Sequence, residues 1–269
     1  MHSILRVLFA VLLAVAAAAD PTATFAADPR TTHLEFKTVI HTFGIAADSS
    51  GPGADSTTVD WSYPVFVDSR DPDTRALNSW LRDQSLKILL DGSRLIDHAS
   101  KMSDEEVIER AGVDRDLADL GYSEYSVYVT PMTALGIYRD FVFEGRFTPR
   151  DGQYSSLREH RLYNMKKRRE QRVDELFTDE IFDVLSDIMA AMPKSDGEDC
   201  PDQSELFGWQ NAYLVAQDSI GVDFYLKTFQ LAECAETLVI RDPRIKAGLK
   251  SPRDMTPVVD LNEPLRVRK

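Results

Sequence analysis

From Thr57 to Val67, apolar side chains fall on every second position. Val59, Trp61, Tyr63, Val65 and Val67 lie on one side, with Asp60 and Ser62 on the other. Successive side chains of a strand point to opposite faces, so this period requires a half-buried strand and is incompatible with a helix. The period returns at Tyr125, Val127 and Val129, and again at Leu135, Ile137, Phe141 and Phe143, where Arg139 breaks the row. Further strand signals run from Leu157 to Met165, from Ala212 to Ala216, through Val222, Phe224 and Leu226, and from Thr237 to Ile240. They follow one another mainly as hairpins, which favours an antiparallel sheet over strict β-α-β alternation. Pro64 lacks an N–H, so its strand is expected at a sheet edge or bulged.

Helix signals are fewer. Asp71-Pro72 supplies a capping acid and a first-turn proline for a helix with Leu77, Trp80, Leu81 and Ile88 on its apolar face, ended by Gly92. Ser103 and Glu106 form a capping box ahead of Val107, Ile108 and Ala111, with Gly112 interrupting and Gly121 closing the helical region. Thr178 can cap a third helix with the stripe Ile181, Leu185, Ile188 and Met192, and Asp242-Pro243 can open a short last one. The expected fold is α+β, a mainly antiparallel sheet with about three to four helices packed on it. Ser251 to Lys269 shows no periodicity and reads as a loose tail.

The N-terminus bears on the compartment. One arginine, Arg6, precedes an uncharged apolar run from Val7 to Ala19, and Ala17-Ala18-Ala19 gives the small residues that signal peptidase requires. Residues 1–19 therefore read as a signal peptide, with a second cleavage option after Ala26, and the protein is expected in the periplasm or secreted. The apolar run is short of the roughly 20 residues that span a bilayer, so no stable membrane insertion is expected. Residues 20–58 read as a leader and first strand.

The 269-residue chain has a formal charge of −13, and removal of residues 1–19, which hold one arginine and no acid, makes it −14. That balance disfavours nucleic acid and anionic lipid and suits a basic partner. Cys200 and Cys234 are the only cysteines, and two thiols in an oxidising compartment pair. Such a bond would stabilise by roughly 3–4 kcal/mol in the chain-entropy model.

No nucleotide, zinc-protease or serine-nucleophile signature is present, and no cofactor or metal is expected. Gly51-Pro52-Gly53 lacks the Gly-Lys-Ser/Thr of a phosphate loop. Histidines 33, 41, 98 and 160 stand at no ligand spacing, and Glu159 and His160 alternate faces of one strand. Paired carboxylates of a hydrolase remain an alternative, since an acidic chain offers many. Lys166 to Arg169, extended by Arg172, reads as a solvated turn, with phosphate or anionic-polymer binding as the alternative. Trp61 and Tyr63 read as core in preference to a sugar-stacking platform.

Three separated stretches resemble the extracellular domain of the RsiV-like family, the lysozyme-sensing anti-sigma factor type also found at the front of some envelope polysaccharide deacetylases. The first is Trp61 to Phe66 with Ala76-Leu77-Asn78-Ser79-Trp80-Leu81 behind it. The second is Tyr163-Asn164 followed by Val173-Asp174-Glu175-Leu176-Phe177. The third is Gly221 to Tyr225, then Phe229 to Cys234, ending at Val239-Ile240. In order they span residues 59–251. Where the family has a Gly-Gly-Ala-His-like stretch, this chain has Glu144-Gly145-Arg146-Phe147, so that histidine's role has no counterpart here. The resemblance implies the extracellular module alone, with neither a deacetylase domain nor an anti-sigma transmembrane helix expected.

The resemblance implies an α+β fold and binding of an envelope component or a lysozyme-like protein. The expected function is thus an exported, non-catalytic binding module of the cell envelope, with lysozyme binding or inhibition as its sharpest form. The alternative is an envelope hydrolase or peptidoglycan-processing enzyme. Contacts are expected on the segment Gly145 to Ser156, read as a loop joining two strands and carrying Arg146, Phe147, Asp151 and Tyr154. Scaffold-held loops concentrate function, and arginine with aromatics is the composition of interface hot spots. An ordinary hairpin connection with a buried Phe147 is the competing reading.

Overall fold

The structure is a computed structural model and describes residues 35–46, 56–67, 70–149, 155–190, 209, 212–224 and 236–255. The signal segment, both cysteines, Asp151, Tyr154 and Met192 lie outside the described residues.

Six strands form one sheet in chain order: β1 (Phe36–Ile45), β2 (Thr57–Phe66), β3 (Tyr122–Leu135), β4 (Tyr138–Pro149), β5 (Ser155–Asn164) and β6 (Arg169–Gln171). Every pair is antiparallel except β2 with β3, which run parallel from Thr58↔Glu124 to Ser62↔Tyr128. A parallel pair needs a long crossover. It is supplied by α1 (Pro72–Leu89), α2 (Ile96–Ala99), α3 (Asp104–Ala111) and α4 (Arg115–Ala118). A second, three-stranded antiparallel sheet follows: β7 (Ala212–Ala216), β8 (Ser219–Phe224) and β9 (Glu236–Arg241). It is accompanied by α5 (Glu180–Ala190), α6 (Pro243–Ala247) and 3-10 turns at Asp174–Leu176 and Pro252–Met255. The fold is α+β, as the alternation requires. Two of its helices, α2 and α4, are single turns too short to leave a periodic signal.

The caps form where the residues place them. The Asp71 carboxylate accepts the N–H groups of Asp73 and Thr74, and Ser103 and Glu106 exchange bonds of 3.2 and 2.8 Å. Asp242 accepts the Arg244 N–H at 2.8 Å.

The large sheet carries a core on each face. On one, Trp61, Tyr125, Val127, Phe141 and Phe143 pack under Leu77, Leu81 and Leu89 of α1. Trp61 is fully buried and its Nε1–H donates to Ser85 Oγ at 2.9 Å, the arrangement of a core indole rather than a sugar platform. On the other face, near the β3–β4 turn, Tyr138 and Leu162 meet Leu176, Leu185, Leu214 and Ile240. That core stops part-way along the sheet, so the rest of the second face is left uncovered by the described residues.

Four expectations need correction. The row Leu135 to Phe143 is not one strand, because Gly136 and Ile137 form the β3–β4 turn. Gly136 has φ +54°, and a Cβ there would lie 2.0 Å from the Asp254 carbonyl oxygen, so the turn requires glycine. The β2 strand is interior over its first half, since it pairs with both β1 and β3. Pro64 lies beyond Ser62, where the β3 pairing has ended, so its missing N–H interrupts no β2–β3 ladder. Farther along, the Asn78 amide stands in for a neighbouring strand, accepting the Phe66 N–H at 2.8 Å and donating to its carbonyl at 3.0 Å. The expected loop from Gly145 begins too early, because β4 continues to Pro149. The head of the expected tail is structured: Pro252–Met255 form a 3-10 turn, Met255 is buried, and the Asp254 carbonyl accepts the Ile137 N–H.

Candidate functional site

The uncovered half of the second face is built from alternate residues of four strands. Register places Tyr128 beside Ser62 of β2 and Glu144 of β4, and Ser62 beside Ile40 of β1. Phe36, Thr38, Ser62, Tyr128, Glu144 and Arg146 line a shallow depression of about 540 Å³ there. Arg146 Nε donates to Glu144 Oε1 at 2.7 Å, and its guanidinium carbon lies 5.7 Å from the Tyr128 ring centroid. The ion pair and the ring fix an otherwise flexible arginine, in a geometry that fits cation–π attraction. Ile40 and Phe36 flank the depression at 69% and 44% exposure, apolar area left in water on a sheet face. An anchored arginine, a tyrosine ring and exposed apolar neighbours form a surface suited to recognition.

Two ionic groups lie elsewhere. Asp104, the first residue of α3, accepts bonds from His41 Nε2 (2.9 Å), the Tyr63 hydroxyl (2.6 Å) and Arg82 Nε (2.7 Å). Burial works against its ionisation, but the hydrogen bonds from Tyr63, Arg82 and His41, with the Arg82 charge, outweigh it and hold the carboxyl below its usual range. Burial and the bond to Asp104 push the Tyr63 hydroxyl up, so it stays a neutral donor. Arg82 also donates to the Met102 carbonyl at 2.6 Å. A carboxylate with three donors is committed to joining β1, β2, α1 and α3.

The second group is buried between the sheets. Asp140 and His160 side chains are each 1% exposed, with Oδ1 and Nδ1 3.4 Å apart. Asp140 Oδ2 accepts the Leu214 N–H at 3.2 Å, while Thr133, its cross-strand partner, donates to the Leu214 carbonyl at 2.7 Å. The free edge of β7 is thereby satisfied by two side chains of the larger sheet. His160 stacks on Tyr213 with centroids 4.3 Å apart. No group of three or more metal-ligating side chains occurs among the described residues, and no described helix is long and apolar enough to cross a membrane.

Of the expected site residues, Arg146 lines the open face. Phe147 does not: adjacent strand residues face opposite ways, and its ring packs 4.8 Å from Tyr125 and 5.4 Å from Tyr122. Phe147 is partly buried against the core on the helix side of the sheet. In the stretch that departs from the RsiV-like pattern, a Cβ on Gly145 would come 2.9 Å from the Phe147 ring and 3.2 Å from Ile88 of α1, so glycine there serves packing. Tyr128, Ser62 and Thr38 belong to no catalytic or binding motif in the sequence. Their signal is the outward phase of alternation, which becomes a surface only once register is known.

No family model matches the chain, and neither does any curated protein. Among solved structures, a member of the DUF3298 family from Bacteroides fragilis aligns at TM-score 0.54 and 14% identity, covering 85% of this chain and 98% of its own. A DUF3298 family protein from Pseudomonas aeruginosa aligns at TM-score 0.51 and 9% identity, covering 84% and 97%. At such identities the likeness is one of fold.

Proposed function

We propose that the chain is an exported, non-catalytic binding module of the cell envelope that docks a basic protein, of lysozyme-like chemistry, on the open half of its sheet. The observation that carries this reading is the depression around Tyr128, with an anchored Arg146 and exposed Phe36 and Ile40 beside it. The net charge of −13 supports a basic partner by steering encounter. The signal-like N-terminus and the resemblance to a lysozyme-sensing module point to the same compartment and partner class. A cell-wall component is the other ligand of that compartment.

The test is binding of a purified C-type lysozyme by the wild type and by Tyr128→Ala and Arg146→Ala, with melting temperature measured in parallel. Saturable binding that falls with added salt and weakens by about tenfold in Tyr128→Ala at unchanged melting temperature is expected. Equal affinity in both variants would reject this surface. Release of labelled peptidoglycan fragments by the protein alone would establish the hydrolase instead.

A further inference from the structure

A second depression, of about 420 Å³, lies where the Met165–Arg168 turn between β5 and β6 meets the two 3-10 turns. Its lining includes Lys166 and Lys167 from the β5–β6 turn, Lys250 from the segment after α6, and Gln171 and Tyr138. This setting is unusual for a chain with 44 acidic and 31 basic residues. Lys166 and Lys167 have no carboxylate at ion-pair distance among the described residues, and Lys250 Nζ donates to the Glu175 backbone carbonyl at 3.3 Å. Two acids share the lining, Glu175 and Asp254, and the first lies 3.9 Å from Arg169.

The inner wall carries unused donors. Gln171 is 6% exposed, and its Oε1 accepts from Asn164 Nδ2 at 2.8 Å. Its Nε2 makes no hydrogen bond among the described residues. Asn164 is bonded at both ends of its amide, since its Oδ1 accepts the Lys167 N–H at 2.9 Å. Tyr138 is 4% exposed and its hydroxyl likewise bonds to nothing described. Burial, then the nearby Asp254 charge, raise its pKa, so it remains a neutral O–H donor. Both residues are more than nine-tenths buried, yet neither polar end is sealed from solvent, and both line the cavity. Both unused groups can donate, and three ammonium groups share the lining with the Glu175 and Asp254 carboxylates.

We propose that this cavity binds an oxyanion, a phosphate or carboxylate group on a small ligand, held by Lys166, Lys167 and Lys250 and oriented by the Gln171 Nε2 and Tyr138 hydroxyl donors. Ammonium groups supply the charge-assisted bonds, while the neutral donors inside fix direction. The volume admits a small organic anion and falls in the usual range for ligand pockets. The site is separate from the Tyr128 face and stands whether or not that face binds a protein.

The experiment titrates the full chain with inorganic phosphate and, separately, with acetate, against chloride at matched ionic strength, read by calorimetry and by amide chemical shifts. Saturable phosphate binding with acetate silent assigns a phosphoryl group, and the reverse assigns a carboxylate. A Lys166→Ala/Lys167→Ala/Lys250→Ala variant should weaken binding by about tenfold or more. These lysines are exposed, so its melting temperature should match the wild type in chloride. Lys167→Glu should abolish binding by repulsion and gives a second reading if the triple variant folds poorly. Responses to both anions no larger than to chloride, or affinity unchanged in both variants, would overturn the proposal.

Discussion

Asp104 and Asp140 are both carboxylates that join elements distant in sequence, yet they do so in different media. Asp104 is 15% exposed and meets an arginine, a tyrosine and a histidine at 2.6–2.9 Å. Asp140 is 1% exposed, lies 3.4 Å from His160 and accepts the Leu214 N–H at 3.2 Å. The first keeps some water and gains charge-assisted bonds. The second gives up nearly all its hydration, so its value lies in what would be orphaned without it: the Leu214 N–H at the edge of β7. The short bonds from three donors mark Asp104 as a group whose ionisation stabilises the fold. Burial marks the group whose removal does the most damage.

Breaking each group in turn tests that contrast. Asp140→Ala should have the largest effect, about 3–5 kcal/mol lost in urea unfolding, because it removes a buried carboxylate beside His160 and takes the acceptor from the buried Leu214 N–H. The small sheet should lose its anchorage first, so amide exchange should rise at Leu214 before it rises at Val127. A loss smaller than that of the Asp104 variant would invert the comparison.

Asp104→Asn should cost about 1.5–3 kcal/mol at neutral pH, the range for hydrogen bonds to a charged group. Its folded pKa is lowered, so its contribution is complete above the unfolded value of about 3.9 and is lost as pH falls through the folded one. Urea midpoints of wild type and Asp104→Asn should therefore converge in acid and separate towards neutrality. A difference that does not change with pH would mean the carboxylate charge contributes nothing.

The smallest effect is expected at an exposed pair, which sharpens the comparison from the other side. Arg168 Nε donates to Asp73 Oδ1 at 2.6 Å, but both side chains are open to solvent. Arg168→Ala should cost no more than about 1 kcal/mol, and less in high salt. Arg168 also has φ +51°, so Arg168→Gly should be more stable than Arg168→Ala by about 1 kcal/mol. Equal melting curves for the two variants would show that the turn backbone carries no strain.

The candidate surface was half legible. Arg146 is legible as an arginine near aromatics, but Phe147, its strand neighbour, faces the core. The companion it meets is Tyr128, eighteen positions earlier, and no local pattern joins the two. Lys166 and Lys167 read as a solvated turn because Lys250, Gln171 and Tyr138 reach the same cavity only through folding.

What the sequence determined by itself is what depends on neighbours within a few residues: the Asp71, Ser103 and Asp242 caps, the strands that alternate, and the α+β class that follows from them. Such signals are bonds and faces set by a residue and those one to four positions away. Only the tertiary structure decided that β2 and β3 run parallel, that the second core covers half a face, and that β4 runs past Gly145 to Pro149. Alternation tells a strand that it has two faces but not which strand lies beside it. Pairing and coverage are settled by long-range burial, and the open face around Tyr128 is what that burial left uncovered.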